Sequence, residues 1–376
     1  MIYFDYASTT PIRGSVLETY QKVLSQYYGN ADSLHELGRE SHKLMEKSRA
    51  QIAQLLSVKT NEIMFTSCAS EANSYAIKGY ALQYAKRGKH IITTCVEHSS
   101  ILHACAQLEQ HFGFEVTYLP ITKEGIVDLQ ELRAALRKDT ILVSTMAVNN
   151  ETGALNPIQA IAQIVHTQTR AAYHVDGVQA LGKITLDLQD IDLATFSAHK
   201  IYGLKGSAIL YHKKNIELFA LINGGQQEDG MRGGTSNAPT NIVFAKTLRL
   251  ALDEQEATFT HVRKLHDRLV CALTAMEDVV INSPPQALPH FINVSFLKVG
   301  SEIMLNALNE RGFCVSAQST CSSKSKARSH VLLAMGLGET VATHAIRITL
   351  SHLTTKEEVE ALITALKEIN HDYRTK

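Results

Sequence analysis

The chain has 376 residues, 45% of them apolar, enough for a sizeable core and, by the usual domain length, about two domains. Its 37 basic residues balance 37 acidic ones, which excludes a global field drawing it to nucleic acid or to an anionic membrane. No stretch approaches the ~20 apolar residues of a bilayer span, the start MIYFDYASTT lacks a basic and apolar leader, and the six cysteines are sparse and irregular; the expectation is a cytoplasmic protein without a disulfide framework.

In chain order, the first informative stretch is FTSCASEANSYAIKGYALQYA at 65–85. An apolar lead, hydroxyls at Thr66, Ser67 and Ser70, and an acid in the first turn predict a helix start. Such a start caps itself, and its backbone N–H groups and hydroxyls also suit a phosphate. Next come four short apolar runs that each end in polar residues: HIITTCVEH (90–98), TILVSTMAVNN (140–150), AAYHVDGVQ (171–179) and DLATFSAHK (192–200). Between them, 129–138 and 158–169 carry apolar residues at helical spacing. Strands alternating with helices predict right-handed crossovers and a mostly parallel sheet, which binds ligands at the carboxyl ends of its strands. Chemistry is therefore expected at those four polar ends.

Cys95, His98, His103 and Cys105 have the residue types of a zinc set. The run SSILHACAQLEQHF reads as a helix, which turns His103 and Cys105 in different directions, so no metal site is assigned. His98, at a strand end, is left either to stack on a flat ring or to play a structural part. HVDGVQ places Asp176 at one strand end and SAHK places Lys200 at another. A carboxylate and a lysine so placed form an ordinary ion pair or serve pyridoxal phosphate, which needs a lysine for its aldehyde and a carboxylate for its pyridine nitrogen. Ser197 and His199 are two residues apart, so on a strand they share a face and reach one phosphate.

From about residue 258 the pattern changes to a charged helix (260–276), a strand (290–297), a helix and a strand (345–351), a second and smaller α/β unit. Residues 14–257 are assigned to the large domain, and 1–13 with 258–376 to the small one. Within the latter, SAQSTCSSKSKARS (316–329) sets Cys321 among polar residues that cannot bury it, beside Lys324, Lys326 and Arg328. Exposure and nearby cations favour a thiolate, and the composition is that of a mobile loop.

Ten segments in order resemble the cysteine desulfurases of the NifS/IscS type, of the class V aminotransferase fold: YFDYASTT, GNADSLHELGRE, FTSCASEAN, EHSS, VNNETG, HVDGVQALGK, SAHKIYGLKG, GGQQEDGMRGGT, STCSS and IRITLS. The resemblance spans nearly the whole chain and implies a type I PLP-dependent transferase fold, α/β, with pyridoxal 5'-phosphate as cofactor and L-cysteine as substrate. It implies Lys200 as the Schiff-base lysine, Asp176 as partner of the ring nitrogen, His98 stacked on the ring, and Asn150 and Gln179 near the ring hydroxyl. The phosphate cradle falls on Ala69, Ser70, Ser197 and His199, with Thr235 donated by a second subunit of a homodimer. Arg347, helped by Asn30, falls on the substrate carboxylate, and Cys321 on the nucleophile that accepts sulfur for a downstream acceptor protein, in iron–sulfur cluster assembly or in tRNA or cofactor thiolation. The chain departs from the family at Cys68, where glycine is usual, at Ser70 for threonine, at Leu204 for proline, and in the AQST that precedes Cys321. Cys68 is expected to be a packed small residue rather than a second sulfur carrier. The alternatives are a selenocysteine lyase or another aminotransferase-fold enzyme, which need no loop cysteine, and a non-catalytic scaffold.

Overall fold

A computed structural model describes residues 1–317 and 328–374. Its strands are β1 (Ile2–Tyr3), β2 (Ile63–Thr66), β3 (His90–Thr94), β4 (Glu115–Leu119), β5 (Thr140–Met146), β6 (Ala172–Asp176), β7 (Leu193–Ser197), β8 (Ala208–His212), β9 (Val279–Ile281), β10 (Phe291–Phe296), β11 (Phe313–Cys314) and β12 (Ala345–Thr349). The helices that matter for the site are α1 (Gly14–Gln26), α2 (Glu36–Leu55), α3 (Ala69–Ser74), which runs through a π turn, Tyr75–Gly79, into α4 (Tyr80–Tyr84), and α5 (Ser99–Phe112). They are followed by α6 (Leu129–Ala135), α7 (Ile158–Gln168), α8 (Ala238–Asp253) and α9 (Gln255–Thr274).

Seven strands form one sheet in the order β2-β8-β7-β6-β5-β3-β4. The neighbours from β7 to β4 run parallel, whereas β8 is antiparallel to both β7 and β2. Every residue of β3, β5, β6, β7 and β8 is buried. Burial on both faces is what a parallel sheet requires, because its crossover helices cover both sides. Alternation then sorts the side chains: Ile92, Val143, Tyr173 and Ile209 join one core with α1, α2, α7 and α8, while Ile91, Leu142, Ala172 and Leu210 join another with α3 and α5. Each large apolar side chain among them contributes about 1.5–3 kcal/mol by leaving water, so the two faces together hold the sheet between its helices.

The four expected strands are all present, but each ends before its polar tail. β3 stops at Thr94, β5 at Met146, β6 at Asp176 and β7 at Ser197. Beyond those points the chain turns to bond its own polar groups. Asn149 Oδ1 accepts from the N–H groups of Glu151 and Thr152 at 2.9 and 3.0 Å, and Gly153 at φ 75° closes the turn where a Cβ would lie 2.7 Å from Phe291 Cβ. Ser197 is followed by a 3-10 turn, Ala198–Lys200, so the same-face argument for Ser197 and His199 fails: only the first is on the strand.

A separate core joins Phe4, Val262 and Leu269 to Ile292, Ile346 and Leu366, around the antiparallel sheet β12-β10-β9. The N-terminal β1 pairs in parallel with β11. The helix expected from residue 260 begins at Gln255. Among the described residues no helix is long and apolar enough to cross a membrane.

Candidate active site

Because β3, β5, β6 and β7 are parallel, and β2 points the same way through two antiparallel steps, all five strands deliver their following residues to one edge of the sheet. A cavity of about 250 Å³ opens there, lined by Ala69, Ser70, His98, Asn150, Asp176, Gln179, His199, Lys200 and Arg347 among others. Nine of the residues expected from the sequence thus come together from six separate segments.

Lys200 is half-buried, and its Nζ donates to the carbonyls of Ala7 and Ser8 at 2.6 and 2.8 Å. Asp176 is 7% exposed; its Oδ1 accepts from Val178 N at 3.0 Å and its Oδ2 from Asn73 Nδ2 at 3.0 Å. Gly177 is required next to it, because a Cβ there would lie 2.4 Å from the Phe196 ring. His98 is the N-cap of α5: its Nδ1 accepts from Ser100 N at 3.2 Å, which leaves the ring proton on Nε2. Burial first, and the charge of Lys200 after it, lower the His98 pKa against the opposing pull of Asp176, so the ring is a neutral, flat surface. His199 Nδ1 lies 3.1 Å from Thr9 Oγ1, and burial followed by Lys200 pushes its pKa down to about 4.

Arg347 is 2% exposed and rises from β12. Its Nη1 donates to Asn150 O at 2.7 Å and its Nη2 to Asp5 Oδ1 and Ser8 Oγ at 3.0 and 2.8 Å. Its Nε–H is buried without a partner, so the guanidinium fork is oriented by the protein and retains donors for a ligand.

The donor set fits pyridoxal phosphate. An amine, a buried carboxylate and a neutral imidazole surround one cavity; the Ser197 hydroxyl is buried with no partner, but Ser197 is not among the residues that line this cavity. Other expectations are placed differently. Asn30 is exposed, accepts from Asp32 N at 3.1 Å and is absent from the cavity lining. Thr235 is exposed and lines a separate cavity of about 200 Å³ with Ser67 and Arg232. Cys68 is not packed away: it is exposed and lines the site, since as the residue before α3 it stands at the mouth rather than under the helix. Cys105 is buried while His103 is exposed, as the helical reading of their spacing requires. Cys321 lies outside the described residues. The residues that flank its segment are tied to the site, for Ser316 bridges the backbone of Arg347 and Ser329 Oγ donates to the buried Glu151 Oε2 at 2.6 Å.

Sequence reasoning missed several contributors. Asn73, 1% exposed, bridges Asp176 to Ser100 Oγ at 2.9 Å; it stands in FTSCASEAN, but nothing local says which carboxylate it meets. The carbonyls of Ala7 and Ser8 carry no side-chain signal at all. Glu97, 1% exposed, accepts from Thr94 Oγ1 and Met146 N at Oε1 and has no partner at Oε2; burial pushes its pKa up to about 8.

Comparison with known proteins places this fold in one family. The family model described as aminotransferase class-V matches residues 2–362. A protein named cysteine desulfurase IscS from Dictyoglomus turgidum is 41% identical over 378 residues, spanning 100% of this chain and 95% of that one. A solved NifS-like protein superposes with a TM-score of 0.93 at 37% identity, covering 99% of each chain. The structure of SspA in complex with cysteine superposes with a TM-score of 0.82 at 33% identity, covering 93% of this chain and 99% of that one.

Proposed function

Because the chain belongs to the class-V aminotransferase family, we propose that it is a pyridoxal-phosphate-dependent cysteine desulfurase that converts L-cysteine to L-alanine and leaves the sulfur as a persulfide on Cys321. The observation that carries this reading is the meeting of Lys200, Asp176, His98 and Arg347 in one cavity at the ends of β7, β6 and β3 and on β12. Bound on Lys200, the cofactor supplies an electron sink for the charge that develops at the substrate Cα. Asp176, held from both sides by Asn73 and Val178, would keep the ring nitrogen protonated. His98 covers the flat face as a neutral ring, and Gln179 and Asn150 serve the ring hydroxyl. Ala69, Ser70, Ser197 and His199 hold the phosphate.

Arg347 orients the substrate carboxylate with the donors its three internal bonds leave over. The Lys200 amine takes the Cα proton and returns one as the product forms. The Cys321 thiolate attacks the substrate sulfur: the S–S bond forms as the Cβ–S bond breaks, the bonding pair passes to carbon, and protonation there gives alanine. The persulfide then passes to an acceptor protein of iron–sulfur assembly or of tRNA or cofactor thiolation. The assignment of residues 1–13 and 258–376 to a smaller domain is supported by a core that joins Phe4 to Val262, Ile292, Ile346 and Leu366, while Ala7, Leu288 and Phe291 pack with the large sheet instead. A homodimer fits the large apolar side chains exposed at Leu24, Tyr28, Leu34, Phe219 and Ile222, and Thr235, which does not line the cavity of Lys200, is assigned to the partner's phosphate.

The test is alanine release from labelled L-cysteine by the wild-type protein and by Cys321→Ser. The expected result is a visible absorption band abolished by borohydride in both, with alanine release and protein-bound sulfur lost in the variant. Alanine release at the wild-type rate from Cys321→Ser would make the protein a different class-V enzyme, and absence of the band would make it a scaffold.

A further inference from the structure

Behind Lys200 lies a second cavity, of about 30 Å³, lined by Tyr6, Arg13, Lys183, Tyr202 and His290 among others, with Lys200 forming part of the wall of both cavities. Its size suits a single water. His290 is 4% exposed and neither ring nitrogen has a partner, which marks the space as polar and unfinished. The acid of this cavity, Glu254, is already engaged by both ends of the Arg13 fork, at 2.5 and 2.6 Å.

Lys183 is half-buried here, with its Nζ turned to Gln179, donating to the carbonyl at 3.3 Å and to Oε1 at 3.4 Å. Gln179 Nε2 donates to Ala7 O at 3.0 Å, and the same oxygen accepts from Lys200 Nζ at 2.6 Å. One amide and one carbonyl therefore join the two amines. The polarity of this chain agrees at both ends, because the Ala7 carbonyl only accepts and so takes Nε2, which leaves Oε1 to accept from Lys183. Gln179 and Lys183 sit one turn apart after Asp176, and Gly182 at φ 69° lets the chain pass Ala251, whose Cβ would be 2.9 Å from any added Cβ.

Two lysines that line one small cavity repel as cations, and among the described residues lining it the carboxylate, Glu254, is taken by Arg13. Burial, and after it the charge of Lys200, push the Lys183 pKa down to about 7. The other charged or titratable groups lining the two cavities are His199 beside Lys200, Tyr6, Arg13, Tyr202, Glu254, His290 and His352 at the rear, and Cys68, Asp176, His98 and Arg347 on the front side.

We propose that Lys183 is a positioning residue for Lys200: through Gln179 and the Ala7 carbonyl it seats the Lys200 amine, and as the second amine of the cavity it opposes a positive charge beside it. This rests on Lys200 being the lysine that carries the cofactor. The consequence for the reaction is that Lys200, once released, is poised to accept a proton instead of already holding one.

The test titrates the visible band of the full-length, cofactor-loaded protein with pH, in wild type, Lys183→Met and Lys183→Arg. The expected order of midpoints is Met above wild type above Arg, the Met shift being about one unit, because Met removes the opposing charge and Arg makes it permanent. Packing or hydrogen bonding alone would move both variants the same way, and that result, or no shift in either, overturns the proposal. Competitive acylation of Lys200 followed by mass spectrometry reads the same order without the cofactor, so a variant that loads poorly still decides the question. If wild type shows no band that borohydride fixes on Lys200, the cofactor assignment fails, while the acylation order still tests the pair.

Discussion

Glu97 offers the sharpest test of the electrostatics beneath the site. Its carboxyl is enclosed, with two donors on Oε1, none on Oε2, and Asp176 near enough to oppose a second negative charge. Burial raises its pKa from 4.5 to about 8, so the folded protein binds this proton more tightly than the unfolded chain. With the folded value raised, the stabilisation is fully present below the unfolded pKa and is lost as pH rises through the folded one. Between pH ~5.5 and ~8.5 such a group removes about 3 kcal/mol of stability. Glu97→Gln keeps the shape and the acceptor for Thr94 and Met146 but cannot titrate. For a chain of this length, the unfolding entropy per residue turns about 3 kcal/mol into about 4 °C. Thermal unfolding across that pH range is expected to show the melting point of wild type falling about 4 °C further than that of Glu97→Gln, other titrating groups cancelling in the comparison. Parallel pH curves for the two proteins would mean that Glu97 is ionised when folded, and the account of its burial would be wrong.

Arg347→Lys should raise KM for cysteine about 10- to 100-fold with a smaller change in kcat, since a point charge replaces a fork already anchored on Asn150, Asp5 and Ser8; an unchanged KM in steady-state assays would remove Arg347 from the carboxylate site. Gly177→Ala drives a methyl to 2.4 Å from the Phe196 ring and should lower stability by about 1–3 kcal/mol and weaken cofactor binding through the adjacent Asp176, and a melting point equal to wild type would show that the ring yields freely.

Much of the site is legible in the sequence because parallel strands in a buried sheet announce themselves as short apolar runs, and the residue that follows each run must emerge at the same edge. His98, Asp176 and Lys200 are found in that way, without any contact being known, whereas Asn150 and Gln179 follow from the family resemblance. The same logic misplaces His199, since a run of residues does not say where a strand stops and a 3-10 turn begins. It also hides Cys68, whose type suggests burial while its place before α3 exposes it. Asn73 and the Ala7 and Ser8 carbonyls escape for a different reason: what they do depends on partners far along the chain. Asn73 meets Asp176 103 residues away, and Lys200 meets Ala7 across 193 residues.

Alternating apolar runs, their polar ends and the ordered motifs determined the α/β class, the family resemblance and the first circle of candidate residues, because those properties are written in local periodicity and residue type. Which backbone carbonyls receive the Lys200 amine, which amide braces Asp176, and that Lys183 and Lys200 line one cavity whose carboxylate, Glu254, is held by Arg13 were decided only by the folded chain. Hydrogen bonds and charge repulsion act through space over a few ångströms, and only the folded chain brings residues so distant in sequence within that range.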